Sequence, residues 1–160
     1  WEEIASAANH LMFHSMLEEH GEELSSYFRR TIEIGAELHG DAVIADWMEV
    51  VRWRGRLAGL LAEYDVLVSP TVAVTSFPAD ETETKKPELA HGMMNWEAAP
   101  FTALFNFTHS PAATVPAGFA SNGVPVGMQM VGRLRDEATL LRLAAAIEEA
   151  RPWAQKQPEL

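Results

Sequence analysis

At 160 residues and 48% hydrophobic content the chain is long and apolar enough to bury a sizeable core, in one domain or a piece of a larger one. Its 23 acidic against 12 basic side chains, a formal net charge of −11, exclude a duplex-binding or anionic-membrane-binding surface, so neither nucleic acid nor membrane is an expected partner. The absence of cysteine excludes disulfides, thiolate nucleophiles and thiolate zinc sites together, and is compatible with a reducing, cytoplasmic compartment. No run is apolar enough for long enough to span a bilayer, and the start shows no basic-then-apolar leader. Trp1 stands where Met would, directly inside a helical pattern, which reads as a fragment or a processed chain.

Residues 2–20 carry Ile4, Ala8, Leu11 and Met12 at helical spacing, and Gly21 follows as a stop. His10 and His14 stand four apart with Glu18 one turn on, a set able to face one side and offer a metal two nitrogens and an oxygen. Without an HExxH pattern, the expectation is a polar helix face and no metal. A second helix is expected after Ser25 or Ser26 as N-cap, ending near Gly40, with Asp41 capping a third. From Val43 the spacing Val43, Trp47, Val50, Leu57 and Leu61 makes an apolar stripe, widened by Val51 and Ala58. Arg52, Arg54 and Arg56 read as a solvated face paired with Asp46 and Glu49. Gly55 and Gly59 weaken this helix, which suggests that another element approaches closely there.

Residues 65–70, DVLVSP, form an unalternated apolar run, expected to be a short strand covered on both faces. A long helix feeding a buried strand is the grammar of an α/β fold. Residues 71–95 lack clear structure and hold a polar, proline-containing tract, which is expected to be a solvated loop that is functional or mobile. A short apolar helix is expected around Trp96, Phe101, Leu104 and Phe105, with Asn95 as cap and Pro100 in the first turn. Residues 106–132 place two apolar runs around Ala120-Ser121-Asn122-Gly123, where Asn-Gly is a strong hairpin cue. Two short strands follow from this, one including 112–115 and the other 126–131. Asp136 is then a good N-cap for a helix over 136–151 whose apolar face holds Leu140, Leu141, Ala144 and Ile147, stopped at Pro152.

The residues alone assemble no complete active site. There is no GxxxxGK[ST] phosphate loop and no GxSxG nucleophile elbow. His109 and Ser110, adjacent in a segment read as extended, would point to opposite faces. Lys85 and Lys86 sit in a polar tract where nothing would lower their pKa.

Five blocks in order carry a resemblance: DVLVSPT from Asp65; Asn106-Phe-Thr108-x-x-Pro111-Ala112-x-x-Val115-Pro116-x-Gly118; Gly123-Val-Pro125-Val-Gly127-Met-Gln129-x-Val131-Gly132; Asp136-Glu-Ala-Thr-Leu140-Leu141; and Pro152-Trp153. Over roughly residues 27–153 the chain resembles the C-terminal part of amidase signature family enzymes. The resemblance implies an α/β fold, the C-terminal part of the amidase signature fold, with a mixed β-sheet flanked by helices on both faces. It makes residues 1–160 the C-terminal portion of a single amidase domain: 1–64 mainly helical, 65–70 strand, 71–95 loop, 96–132 short helix plus strand hairpin, and 136–151 helix.

Such enzymes hydrolyse amides through a Ser nucleophile activated by a second Ser in a cis peptide and by a Lys, a variant of the nucleophile-plus-base scheme with backbone N–H groups holding the oxyanion. The Gly/Ser-rich signature that carries these groups, and the upstream Lys, have no counterpart in this sequence. No catalytic residue is therefore expected here, no cofactor is implied, and the isolated chain is expected to be inactive. Its expected contribution is architecture and a substrate-pocket wall, with Trp96, Ala99 and Phe101 as candidates. The partner implied for the complete enzyme is a small-molecule amide, and a homo-oligomer is open to it. In the family's glutamine-using amidotransferase subunits an Asp seven residues before the NxTxxP block holds the glutamine amine; the matching position is Ala99, which favours an amidase with an apolar or aromatic acyl group. The alternatives are a glutamyl-tRNA amidotransferase A-type subunit fragment and a non-catalytic interaction domain.

Overall fold

The structure, a computed structural model, describes residues 2–75 and 100–156. Eight elements follow in chain order: α1 (Glu2–His20), α2 (Ser26–Glu37), α3 (Gly40–Glu63), β1 (Val66–Pro70), α4 (Ala103–Thr108), β2 (Ala112–Phe119), β3 (Pro125–Gly132) and α5 (Glu137–Ala150). The chain divides into two compact units, with the boundary inside α3 between Trp53 and Arg54.

In the first unit α1 packs on α2. Ser25 caps α2, its hydroxyl accepting from the Phe28 N–H at 3.2 Å, as its side chain and position favour. Ile4 and Ile32 are buried, and Phe13 meets Phe28 edge to face at 5.2 Å. Asn9 Nδ2 donates to Thr31 Oγ1 at 3.1 Å across the same seam. Gly35 makes the approach possible, because a Cβ there would collide with the Ser6 carbonyl and the His10 Cβ. Leu11 and Met12, expected on the apolar face of α1, are exposed instead.

Three further expectations are corrected around α3. Helix α2 ends at Glu37, near Gly40 as expected, but Asp41 lies within the first turn of α3 instead of capping it. Val50, Leu57 and Leu61 are buried as the stripe requires, but Trp47 and Val51 are exposed and form, with Ile44 and Met48, an apolar row facing out. Among the described residues nothing lies within 4 Å of a Cβ built at Gly55 or Gly59, so these glycines leave space open and admit no close neighbour.

The second unit is built on a three-stranded sheet of order β1-β3-β2, antiparallel throughout. Both hairpin strands run longer than expected. Their turn has the anticipated chemistry: Gly123 takes φ 81°, Asn122 Oδ1 accepts from the Val124 N–H, and the Ala120 N–H closes on the Val124 carbonyl. Pro116 is tolerated because β2 is an edge strand, and the register slips between Pro116 and Gly118.

Helices lie on both faces of this sheet. On one face Leu140 packs with Val115 and Met130, joined by Leu143, Ala144 and Ile147 of α5. Leu143 takes the place expected for Leu141, which points to solvent. Positions 140, 143, 144 and 147 are the better helical stripe. Gly132 matters here, since an added Cβ would lie 3.2 Å from Leu140 Cγ. On the other face Leu57 of α3, Phe105 of α4 and Val131 of β3 form a cluster with Leu67 and Leu104. Asp136 caps α5, accepting from the Thr139 N–H and hydroxyl, and Arg151-Pro152 ends it. Strand β1 is covered on both faces only at its start, where Leu67 packs on the cluster with Leu57 and Val66 on the cluster with Leu140; further along, Val68 is 52% exposed.

Candidate functional site

The antiparallel register fixes which side chains share a face. Ser69 lies opposite Gln129 and Gln129 opposite Thr114 across the three strands, all on the side that carries Leu67 and Val131. Gln129 is 4% exposed in an otherwise apolar strand. A polar amide buried there needs partners. Its Nε2 donates to Ser69 Oγ at 3.1 Å and to the Phe101 carbonyl oxygen at 3.0 Å.

Two residues earlier on the same strand face, the Gly127 carbonyl accepts from the Thr71 N–H at 3.1 Å. The Thr71 and Thr114 hydroxyls pair at 3.2 Å directly over Gly127, where a Cβ would stand 2.8 Å from Thr71 Oγ1 and 3.0 Å from Thr114 Cγ2. Strand β3 therefore holds both the residue that leaves β1 and the segment that enters α4. The two attachment points, two residues apart on one face, are separated by about 7 Å.

Of the expected wall residues, Phe101 is placed by this arrangement. It precedes α4, is 38% exposed, and its carbonyl is tied to the centre of the sheet. Trp96 and Ala99 lie outside the described residues, as do Asn95, Lys85 and Lys86. Gln129 itself was not anticipated. The available signal was a single polar side chain in the run VGMQMVG, at a position whose neighbours alternate into a core.

A cleft of about 530 Å³ opens beside the sheet, between Gly55, Ala58 and Ala62 of α3, Ser110 beyond α4, and Arg133 beyond β3. The open space at Gly55 is part of it. Arg54 Nη2, at its edge, donates to the Phe107 carbonyl at 3.2 Å.

None of the serines described near the sheet is poised as a nucleophile. Ser69 Oγ donates to the Pro70 carbonyl and accepts from Gln129, while Ser110 Oγ pairs with Thr108 Oγ1 at 3.0 Å; none of these partners is a base. The segment holding His109 is not extended as expected. His109 adopts a left-handed conformation, φ 55°, that ends α4, with its own N–H bonded to the Asn106 carbonyl and the Ser110 N–H to the Phe105 carbonyl.

Among the described residues no three His, Asp or Glu side chains are grouped to hold a metal ion. His14 Nδ1 instead lies 3.1 Å from the His10 carbonyl, with the two rings 5.5 Å apart. Arg52 pairs with Glu49, as the charge pattern indicated. No helix among the described residues is long and apolar enough to cross a membrane. What the arrangement provides is the segment entering α4 and the segment leaving β1 both held on the middle strand of the sheet.

A family model described as Amidase matches residues 3–141. An acylamidase from Rhodococcus erythropolis is 44% identical over 99 residues, 60% of this chain and 20% of the relative. The A-type subunit of the glutamyl-tRNA(Gln) amidotransferase from Thermosynechococcus vestitus is 38% identical over 98 residues, 61% of this chain and 19% of the relative. The structure of 6-aminohexanoate cyclic dimer hydrolase superposes with a TM-score of 0.81 at 24% identity, over 96% of this chain and 34% of that one, which shows a common fold. The chain thus spans about a fifth of the length of the two relatives matched by sequence. Since the family model runs over most of its residues and the fold agrees, the chain belongs to the amidase family.

Proposed function

We propose that this chain is the C-terminal portion of a single amidase domain, and that the complete protein hydrolyses a carboxylic amide to an acid and ammonia or an amine. The observation that carries this reading is the match of the Amidase family model over residues 3–141. The mechanism is the family's Ser, cis-Ser and Lys scheme, with all three groups outside this chain. The chain supplies scaffold and part of the acyl-side wall, with Trp96, Ala99 and Phe101 as its substrate-facing residues. The complete enzyme acts in the cytoplasm on a small-molecule amide. Among the described residues Ile44, Trp47, Met48 and Val51 form an exposed apolar row, which fits a surface covered by the rest of the domain; a homo-oligomer is open to the complete enzyme.

Assay of the full-length gene product against acyl anilides and aliphatic amides tests this reading, with release of acid and amine as the expected result. The isolated 160-residue chain is expected to turn over none of them, and any turnover by it would overturn the placement of the catalytic groups. The amidotransferase reading is favoured by the relative at 38% identity. It is disfavoured by Ala99, because a methyl group cannot pair with the ammonium of glutamine. Glutamine hydrolysis that depends on a second, co-purifying protein would reverse that order.

A further inference from the structure

We infer that Gln129 is the positioning residue for the acyl-side wall, acting through the backbone of Phe101; this rests on the amidase reading above. Two observations point to it. Gln129 is buried at the centre of β3, the middle strand of the sheet, where its backbone is fixed by ladders on both sides. Its Nε2 has two acceptors on two other segments, one of which is the carbonyl of Phe101 itself.

The alternative for Gln129 is a purely structural amide filling a polar gap. The two roles differ in what a substitution would change. A structural amide affects stability alone. A positioning amide sets where the Phe101 ring stands relative to bound acyl group, so losing it alters ground-state and transition-state contacts of the acyl portion together, raising KM while leaving kcat nearly unchanged. Ser69 helps to distinguish them: Ser69→Ala removes one acceptor but leaves the bond to Phe101 intact.

The experiment uses the full-length protein and a pair of anilides, one acetyl and one bulky aryl-acyl. Gln129→Met keeps the side-chain length and deletes the donor; it is expected to raise KM for the bulky substrate about five- to tenfold, with kcat within about twofold. The acetyl substrate, too short to reach the wall, is expected to change much less. Ser69→Ala is expected to keep the ratio of the two specificity constants near that of the parent. Phe101→Ala is expected to shift the ratio in the same direction as Gln129→Met, and the double variant to shift it no further, since both act through one group.

Additive effects of the two substitutions, or an unaltered ratio in a folded Gln129→Met protein, would overturn the inference. If Gln129→Met fails to fold, Gln129→Glu sets a carboxylate against the Phe101 carbonyl and must shift the ratio in the same direction for the inference to stand. Failure of the parent protein to hydrolyse any amide would overturn the amidase reading, and this inference with it, whereas turnover with an unaltered ratio overturns the inference alone.

Discussion

Arg133 caps the last turn of α3 by donating from Nε to the Leu61 carbonyl oxygen at 2.6 Å. Its Nη2 reaches the Tyr64 carbonyl at 3.2 Å and Asp65 Oδ1 at 3.0 Å. A helix leaves its final carbonyls without internal partners, and a cation there also meets the negative end of the helix dipole. One side chain just beyond β3 therefore ties the end of α3 to the start of β1. Arg133→Ala is expected to cost about 1–3 kcal/mol, read as a lower urea midpoint at unchanged slope. Arg133→Lys is expected to recover little, because a single ammonium cannot reproduce the fork. Asp65→Asn is expected to cost less than about 1 kcal/mol, since that carboxylate is 84% exposed and screened.

The glycines of the two helices α2 and α3 have opposite expected responses to alanine. At Gly35 an added Cβ meets the Ser6 carbonyl, a backbone atom that no rotamer change can move. The helix-propensity gain of about 1 kcal/mol is then outweighed, and Gly35→Ala is expected to be net destabilising by about 1–3 kcal/mol. At Gly55 and Gly59 the space is open among the described residues, so alanine is expected to stabilise by roughly 0.5–1 kcal/mol at each position. Thermal unfolding of the three single variants checks the sign in each case.

These glycines show where sequence reading succeeds and fails. Several devices that act within a few residues were legible: Ser25, one of two caps expected for α2, and Asp136 as caps, Asn122-Gly123 as the turn, Pro152 as a stop; Asp41 as a cap and the left-handed His109 were not. Each of the legible devices depends on chemistry between near neighbours, so its partner is visible a few letters away. Gly55 and Gly59 were not, because glycine in a helix is equally consistent with a close neighbour and with an open cleft, and only the third dimension distinguishes them. Leu141 against Leu143 failed for a related reason, since both are leucines within one amphipathic helix and the face is chosen by what lies beneath. The Gln129 bonds lay furthest out of reach. Their acceptors Ser69 and Phe101 are 60 and 28 residues away, so the sequence marks the polar group but not its partners.

Ser6 is 1% exposed, and its hydroxyl has no hydrogen-bond partner among the described residues. Burying a hydroxyl without compensation is unfavourable, and alanine is the better helix former at the same position in α1. Ser6→Ala is therefore expected to stabilise the protein by about 1 kcal/mol, since it removes an unpaired group and leaves no large cavity. Ser6→Val, which fills more space beside Gly35, is expected to be destabilising by overpacking. A rise in unfolding temperature for alanine with a fall for valine confirms the assignment; a fall for both would show that the hydroxyl has a partner.

Gly127 offers the sharpest test of the polar row on β3. A Cβ there lies 2.8 Å from Thr71 Oγ1 and 3.0 Å from Thr114 Cγ2, so Gly127→Ala forces the paired hydroxyls apart at the point where the chain leaves β1. A cost of about 1–3 kcal/mol is expected, more than the small strand-propensity gain of alanine over glycine can offset. Thr71→Ala alone loses one exposed hydrogen bond and is expected to cost less than about 1 kcal/mol. In the double variant the nearer collision is gone, because the methyl introduced by Gly127→Ala occupies the space vacated by the Thr71 hydroxyl. The double variant is then expected to be more stable than the sum of the singles predicts by about 0.5–2 kcal/mol, the signature of residues in contact. Strict additivity would mean that Gly127 is required for its backbone alone, and that the threonine pair does not close over it.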